Sequence, residues 1–172
     1  MLKLPDSGFG LDVMKIESED ELAREAARFF NVSELIVAQE WLPTGFDWRV
    51  GVYDRRPLFV AKYFMAPGHW KIINAEQGMA EGETVAMSVG EAPEQVVDMA
   101  VRAANLIGRG LYGVDLKQVD GRAYLIEVNC NPNIDAGNED QVLGDVLYRE
   151  VLGVFARRIA ETRSGAARTA MA

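Results

Sequence analysis

The stretch GLYGVDLKQVDGRAYLIEVNCNPN, from Gly110 to Asn133, constrains this chain more than any other part of it. It reads as two apolar runs, Tyr112 to Val119 and Ala123 to Asn129, folded back at Asp120-Gly121, a dipeptide typical of hairpin turns. Carboxylates lie inside both runs, where a strand does not accept charge without a reason. Side chains alternate across a strand, so Glu127 and Asn129 share one face while Ile126 and Val128 point the other way, into a core. Asp115 opposes Val114 and Leu116 in the same manner. Turn parity decides whether the two carboxylates meet: an odd number of loop residues puts Asp115 and Glu127 on one face, and a two-residue Asp-Gly turn sets them on opposite faces. The odd loop is the expectation here.

Two carboxylates and a carboxamide oxygen on one surface make a hard, oxygen-only donor set that suits Mg2+ or Mn2+, with water and a phosphate completing the shell. Taken singly, each residue reads as an ordinary polar position on a solvated sheet face. Together they point to a cation, because two like charges this close repel without one. The continuation Asn129-Cys130-Asn131-Pro132-Asn133 is also more irregular than a plain surface strand requires.

Elsewhere the pattern is that of a mixed α and β protein. Leu2 to Leu4 and Leu11 to Ile16 read as a hairpin around Pro5, Asp6, Ser7, Gly8 and Gly10. Ser18 and Glu21 have capping-box spacing, and Leu22, Ala26, Phe29 and Phe30 recur on one helical face, which predicts a helix over 19–30. A strand follows over 35–42 and is broken by Pro43-Thr44-Gly45. Trp48 to Tyr53 and Leu58 to Phe64 make a second hairpin about Asp54-Arg55-Arg56-Pro57. Residues 66–90 show no period and read as one long loop. Pro93 opens a helix that Gly108 and Gly110 end, and Asn138 with Gln141 opens a last helix carrying Val142, Val146, Val151, Val154, Phe155 and Ile159. The tail from Arg163 reads as frayed.

Composition removes several function classes. The chain has 172 residues, enough for one modest domain or two small lobes. With 26 acidic against 18 basic residues the net charge is −8, which argues against a sequence-blind grip on nucleic acid. One cysteine and one histidine supply neither a disulfide nor a conventional zinc site. No apolar run approaches the roughly 20 residues of a membrane span, and the start lacks the pattern of a signal peptide, so the expected location is the cytoplasm without membrane attachment. His69 reads as a loop histidine, Cys130 as a small buried residue and Lys62 as a surface lysine that snorkels.

The closing string, with Asp115 in one strand and Glu127 and Asn129 two apart in the next before a polar-Pro loop, resembles the end of the ATP-grasp superfamily, in particular its RimK-like carboxylate–amine ligases. AQEWLPTGFDWRV resembles the adenine hinge of that family and the aspartate and arginine after it. LKLPDSGFG resembles its lysine strand and phosphate-covering loop, and HWKIIN resembles the segment carrying a basic residue and an asparagine near nucleotide or acceptor. The resemblance runs from about Lys3 to the last helix. It implies an α+β fold of ATP-grasp type: a small antiparallel β/α lid lobe over 1–42, a larger antiparallel sheet with helices on one face over 43–162, and a flexible tail over 163–172. The family's pre-grasp lobe has no counterpart in this sequence, so the chain resembles the C-terminal part of a longer enzyme.

By that resemblance Asp115, Glu127 and Asn129 are metal ligands for Mg2+ or Mn2+, two ions in all. Lys3 faces phosphate, Glu40 and Trp41 flank the base, Asp47 lies near the ribose, Arg49 points to phosphate, and Lys71 and Asn74 serve nucleotide or acceptor. The implied activity is ADP-forming C–N ligation through an acyl phosphate. Its substrates are ATP, a carboxylate and an amine acceptor that is an amino acid, peptide or protein, with glutamate addition to a protein as one form. A homo-oligomer is compatible with it. Asp115→Asn or Glu127→Gln is then expected to abolish magnesium-dependent turnover in the full enzyme without unfolding the domain. Three alternatives stay open from sequence: an ATP-binding module without turnover, a small-molecule ligase of glutathione-synthetase type, and a structural α+β domain whose acidic strands are merely solvated.

Overall fold

The computed structural model describes residues 1–5, 12–74 and 80–169. The proposed loop over 6–10 falls outside them. The described chain divides into two compact units, one of residues 1–45 and 65–82, the other of residues 46–64 and 83–172.

The first unit holds a three-stranded antiparallel sheet with β1 (Leu2–Lys3) between β2 (Val13–Met14) and β3 (Val37–Ala38). Lys3 pairs with Val13 on one side and Val37 on the other. Of the expected strand over 35–42, the paired part is β3 and Gln39, whose N–H and carbonyl bond to Met1. Helix α1 (Glu19–Phe30) starts where expected, with Ser18 Oγ accepting from the Glu21 backbone N–H at 3.2 Å. The Glu21 carboxylate accepts the N–H of Glu17 rather than that of Ser18. Glu19, Asp20 and Glu21 in the first turn suit the positive end of the helix dipole. A two-stranded ribbon, β6 (Ile73–Asn74) with β7 (Ala80–Glu81), completes this unit.

The second unit is built on five antiparallel strands in the order β10 (Arg122–Asn129), β9 (Leu111–Val119), β4 (Phe46–Tyr53), β5 (Arg56–Phe64) and β8 (Thr84–Met87). Strands β4 (Phe46–Tyr53) and β5 (Arg56–Phe64) form a hairpin whose turn is Asp54-Arg55 alone, with φ of 48° and 72°. Arg56 and Pro57, expected in the turn, belong to β5. Pro57 sits beside the register shift after Gly51, where the absence of its N–H is tolerated. Strand β8 (Thr84–Met87) extends the sheet from β5, so the region read as one loop carries three short strands too brief to show a period.

Helix α2 (Glu94–Ile107) packs on one face of this sheet through Val96, Ala100 and Ala104, all fully buried. The small side chains let it lie close to Val50, Val60, Val114 and Leu116, which with Trp48, Val52 and Tyr112 complete the core. Lys62 lies on this face too, its Nζ 4.6 Å from the Phe46 ring and 4.9 Å from the Trp48 ring. The last helix, α3 (Asp145–Thr169), begins seven residues after Asn138 and continues through the stretch read as frayed. Residues 130–144 are instead an ordered loop. Among the described residues no helix is long and apolar enough to cross a membrane.

Candidate active site

The hairpin of β9 (Leu111–Val119) and β10 (Arg122–Asn129) closes through exactly two residues, Asp120 and Gly121, both with positive φ. The expected odd loop is therefore wrong. Continued at that register, Ile126 would oppose Asp115 and Glu127 would face the α2 side. The ladder shifts between Leu125 and Glu127, with Ile126 as the extra residue of a β-bulge, and Glu127 arrives directly opposite Asp115. The bulge thus restores the parity that the turn removes.

Across the sheet, Arg49 of β4 also pairs with Asp115, so Arg49, Asp115 and Glu127 form one transverse row on the face away from α2. In the adjacent row Asn129 pairs with Gly113, which pairs in turn with Gly51. Arg49 grips Asp115 with two bonds: Nε donates to Oδ1, and Nη2 donates to Oδ2 at 2.9 Å. Asn129 Nδ2 donates to the same Oδ2 at 3.1 Å. Beside this pair, Lys117 Nζ donates to Asp47 Oδ1 at 2.5 Å.

Glycine at 113 permits this crowding. A Cβ there would lie 2.7 Å from Pro132 Cβ and 3.2 Å from two atoms of Arg49. The loop after β10 closes the far side. Glu139, 1% exposed, accepts the Tyr63 hydroxyl on Oε1 and the Asp135 N–H on Oε2 at 2.7 Å. The Arg49 guanidinium carbon stands 5.1 Å from the centre of the Tyr63 ring. Gln141 pins the same loop to β8, accepting the Ala86 N–H at 3.0 Å and donating to the Thr84 carbonyl at 2.9 Å.

These surroundings set the charges. Burial pushes the Asp115 carboxyl up to about 6; Arg49 pulls the other way, and Glu127 and Asp47 add to the rise. Burial disfavours the Arg49 cation, but the Asp115 charge and hydrogen bonds outweigh it and hold that group above its ordinary value. Burial also drives the Tyr63 phenol well above its usual range, so it stays a neutral donor to Glu139.

Among the described residues no three His, Cys, Asp or Glu side chains gather as a cage for a metal. The face offers two opposed carboxylates and one carboxamide. That all-oxygen set fits a hard cation taking its remaining ligands from water or phosphate, and it does not fit zinc.

The architecture has known counterparts. No family model matches the sequence, and no curated protein does. Among solved structures, D-alanine–D-alanine ligase from Bacillus anthracis superposes with a TM-score of 0.67 over 94% of this chain and 55% of that one, at 17% identity. The ATP-grasp ligase PsnB, in complex with a minimal precursor, Mg and ADP, superposes with a TM-score of 0.59 over 88% of this chain and 45% of that one, at 25% identity. The chain carries the ATP-grasp fold. It spans about half the length of the solved structures it matches.

Within this ATP-grasp fold, the second unit brings together Asp47, Arg49, Asp115, Glu127 and Asn129 from the sequence-derived set. Lys3, Glu40, Trp41, Lys71 and Asn74 belong to the first unit. There Trp41 and Trp70 meet edge to face at 5.4 Å, and Lys71 Nζ stands 5.0 Å from the Trp70 ring. His69 stacks on Trp70, and its Nδ1 accepts the Lys71 N–H at 3.0 Å. Cys130 is exposed, contrary to the buried position expected of it, because the irregular segment after β10 turns it outward. Tyr63, Gly113, Lys117 and Glu139 were missed. Gly113 interrupting a strand and Lys117 two residues from Asp115 were signals in the sequence. Glu139 gave none.

Proposed function

We propose that this chain is the ATP-binding and catalytic part of a carboxylate–amine ligase that forms ADP, of RimK-like type. The observation that supports it best is the meeting of Asp115, Glu127, Asn129 and Arg49 on one face of an ATP-grasp sheet. In the reaction a substrate carboxylate oxygen attacks the γ-phosphorus of ATP, the bond to the β–γ bridging oxygen breaks, and ADP leaves an acyl phosphate behind. An amine then attacks the acyl carbon, inorganic phosphate departs with the bonding pair, and the nitrogen gives up a proton.

The protein's contribution is alignment and charge compensation. Asp115, Glu127 and Asn129 would hold Mg2+ or Mn2+, two ions, whose charge offsets that of the triphosphate. Arg49, held at its edge by Asp115, presents fixed positive charge to the transferred phosphoryl group. Lys3 faces phosphate, and Lys71 serves nucleotide or acceptor. Glu40 and Trp41 take the adenine, Asp47 the ribose, and Asn74 the nucleotide or acceptor. The acceptor is an amino acid, peptide or protein, and the protein works in the cytoplasm.

The test is ADP release by the chain against a panel of amino acids and peptides, with and without magnesium. Amine-dependent ADP release that needs magnesium supports the ligase. A rise in melting temperature with Mg-ATP but no ADP release in any arm replaces it with a binding module. No response to nucleotide at all overturns both.

A further inference from the structure

Glu139 is a buried carboxylate for which the proposed chemistry has no use. It is 1% exposed, and each of its oxygens is bound differently: Tyr63 donates to Oε1, and the Asp135 N–H donates to Oε2 at 2.7 Å. Closing a surface loop does not require a charge in the interior, where an ionised group is tolerated only when its bonds are made. The loop already has an anchor two residues on, where Gln141 bonds to Thr84, Ala86 and Gly137.

The partner of Glu139 explains its place. Tyr63 is held at its hydroxyl, and its ring lies 5.1 Å from the Arg49 guanidinium carbon. That guanidinium is a planar group gripped in its own plane by Asp115, through Nε and Nη2. An in-plane bidentate bond fixes twist about the axis toward the carboxylate and leaves out-of-plane rocking as the remaining freedom, which a held ring 5.1 Å from the guanidinium carbon restricts. The Glu139 charge also favours the Arg49 cation.

We propose that Glu139, acting through Tyr63, is a positioning residue that fixes the orientation of the Arg49 guanidinium. This rests on the reading above, that Arg49 faces the transferred phosphoryl group, for its consequence in binding but not for its geometry. A loop latch alone would leave Arg49 untouched when the Tyr63 hydroxyl or the Glu139 charge is removed.

The experiment uses the full chain, labelled with 15N, with the Arg49 Nε–H resonance identified by its loss in Arg49→Lys. In Tyr63→Phe and in Glu139→Gln, solvent exchange of that N–H is expected to rise about tenfold, as when a charge-assisted bond is loosened. The double variant should go no further than the larger single effect, because both act on one chain of contacts. Calorimetry with Mg-AMPPNP and Mg-ADP should show the preference for the triphosphate falling about tenfold, with ADP affinity within about twofold of the parent. An Arg49 resonance with unchanged exchange in either folded variant overturns the proposal, and so do effects that sum in the double variant. If the parent chain takes up neither nucleotide, the ligase reading fails, and the exchange measurement still decides whether Glu139 positions Arg49.

Discussion

The two faces of the five-stranded sheet are made by the same strands and differ only in residue parity. Toward α2 stand Val50, Val60, Val114 and Leu116, all fully buried, packed on Val96, Ala100 and Ala104. Toward the other side, one residue along, stand Arg49, Asp115, Glu127 and Asn129. The first face is held by nondirectional burial, at about 25 cal/mol for each Å² of apolar surface, so shape and volume are what it demands. The second is held by directed bonds among charges that would be costly if left unpaired. Alternation places a charged network one side chain away from a dry core, and strands that the core makes rigid fix the spacing of the charges.

If this division is real, substitutions on the two faces should fail in different ways. The largest effect is expected from Asp115→Asn. Loss of one fixed electrostatic partner typically costs about two to three orders of magnitude in rate, read here as ADP formation. Folding stability should move far less, because the neutral amide gives up the ion pair with Arg49 but also sheds the desolvation cost that holds the Asp115 carboxyl up to about 6. The expectation from sequence, turnover lost and the fold kept, is checked by urea denaturation of the variant. A loss of about 3 kcal/mol in Asp115→Asn would mean instead that the pair with Arg49 holds the sheet together. Leu116→Ala, the adjacent residue on the other face, should by contrast cost about 3 kcal/mol of stability. Its folded fraction should bind Mg-nucleotide as the parent does, and a loss of affinity there would show that the faces are not separable.

Gly113→Ala probes the seam between them. The added methyl would meet Pro132 at 2.7 Å and Arg49 at 3.2 Å, and Pro132 is ring-bound and cannot swing aside. Overpacking of this kind costs about 1–3 kcal/mol, and nucleotide affinity should fall with it because Arg49 is displaced. An alanine variant that is as stable as the parent but binds nucleotide poorly would place the damage in the site alone.

Much of this division could be read from the amino-acid order. Alternation in β9 and β4 is uninterrupted, so Asp115 and Arg49 could be assigned to the face away from the valines, and α1 and α2 carried clear start signals in Ser18 and Pro93. The hairpin was harder. Asp120-Gly121 is the strongest two-residue turn signal available, yet the carboxylates meet only because Ile126 bulges, and an apolar β-branched residue carries no mark of that role. Strand β8 was hidden because a four-residue edge strand leaves too few alternations to detect. Glu139 was hidden because its partner, Tyr63, is 76 positions away and the loop between Asn129 and Asp145 resembled the start of a helix.

The smallest effect concerns an ionic contact outside both faces. Asp54 sits in the β4–β5 turn with φ of 48°, and its Oδ1 accepts from Arg109 Nε at 2.9 Å and from Arg158 Nη2 at 3.1 Å. The hydrogen bonds from Arg109 and Arg158 hold its carboxyl below the ordinary value of 3.8. A group whose folded-state pKa is depressed stabilises the fold at pH values above its unfolded pKa, and the contribution disappears as pH falls through the folded-state value. Asparagine accepts the same left-handed backbone, so Asp54→Asn removes the charge and keeps the turn. Thermal midpoints of parent and variant should therefore differ slightly near neutral pH, with the parent higher, and converge in acid as pH falls through the depressed folded-state value and the parent's carboxyl is protonated. A difference that persists unchanged into acid would mean that the turn geometry, not the ion pair, is what Asp54 supplies, and the link from α3 to the sheet would then rest on apolar contact such as Phe155 with Tyr53, whose rings are 6.0 Å apart.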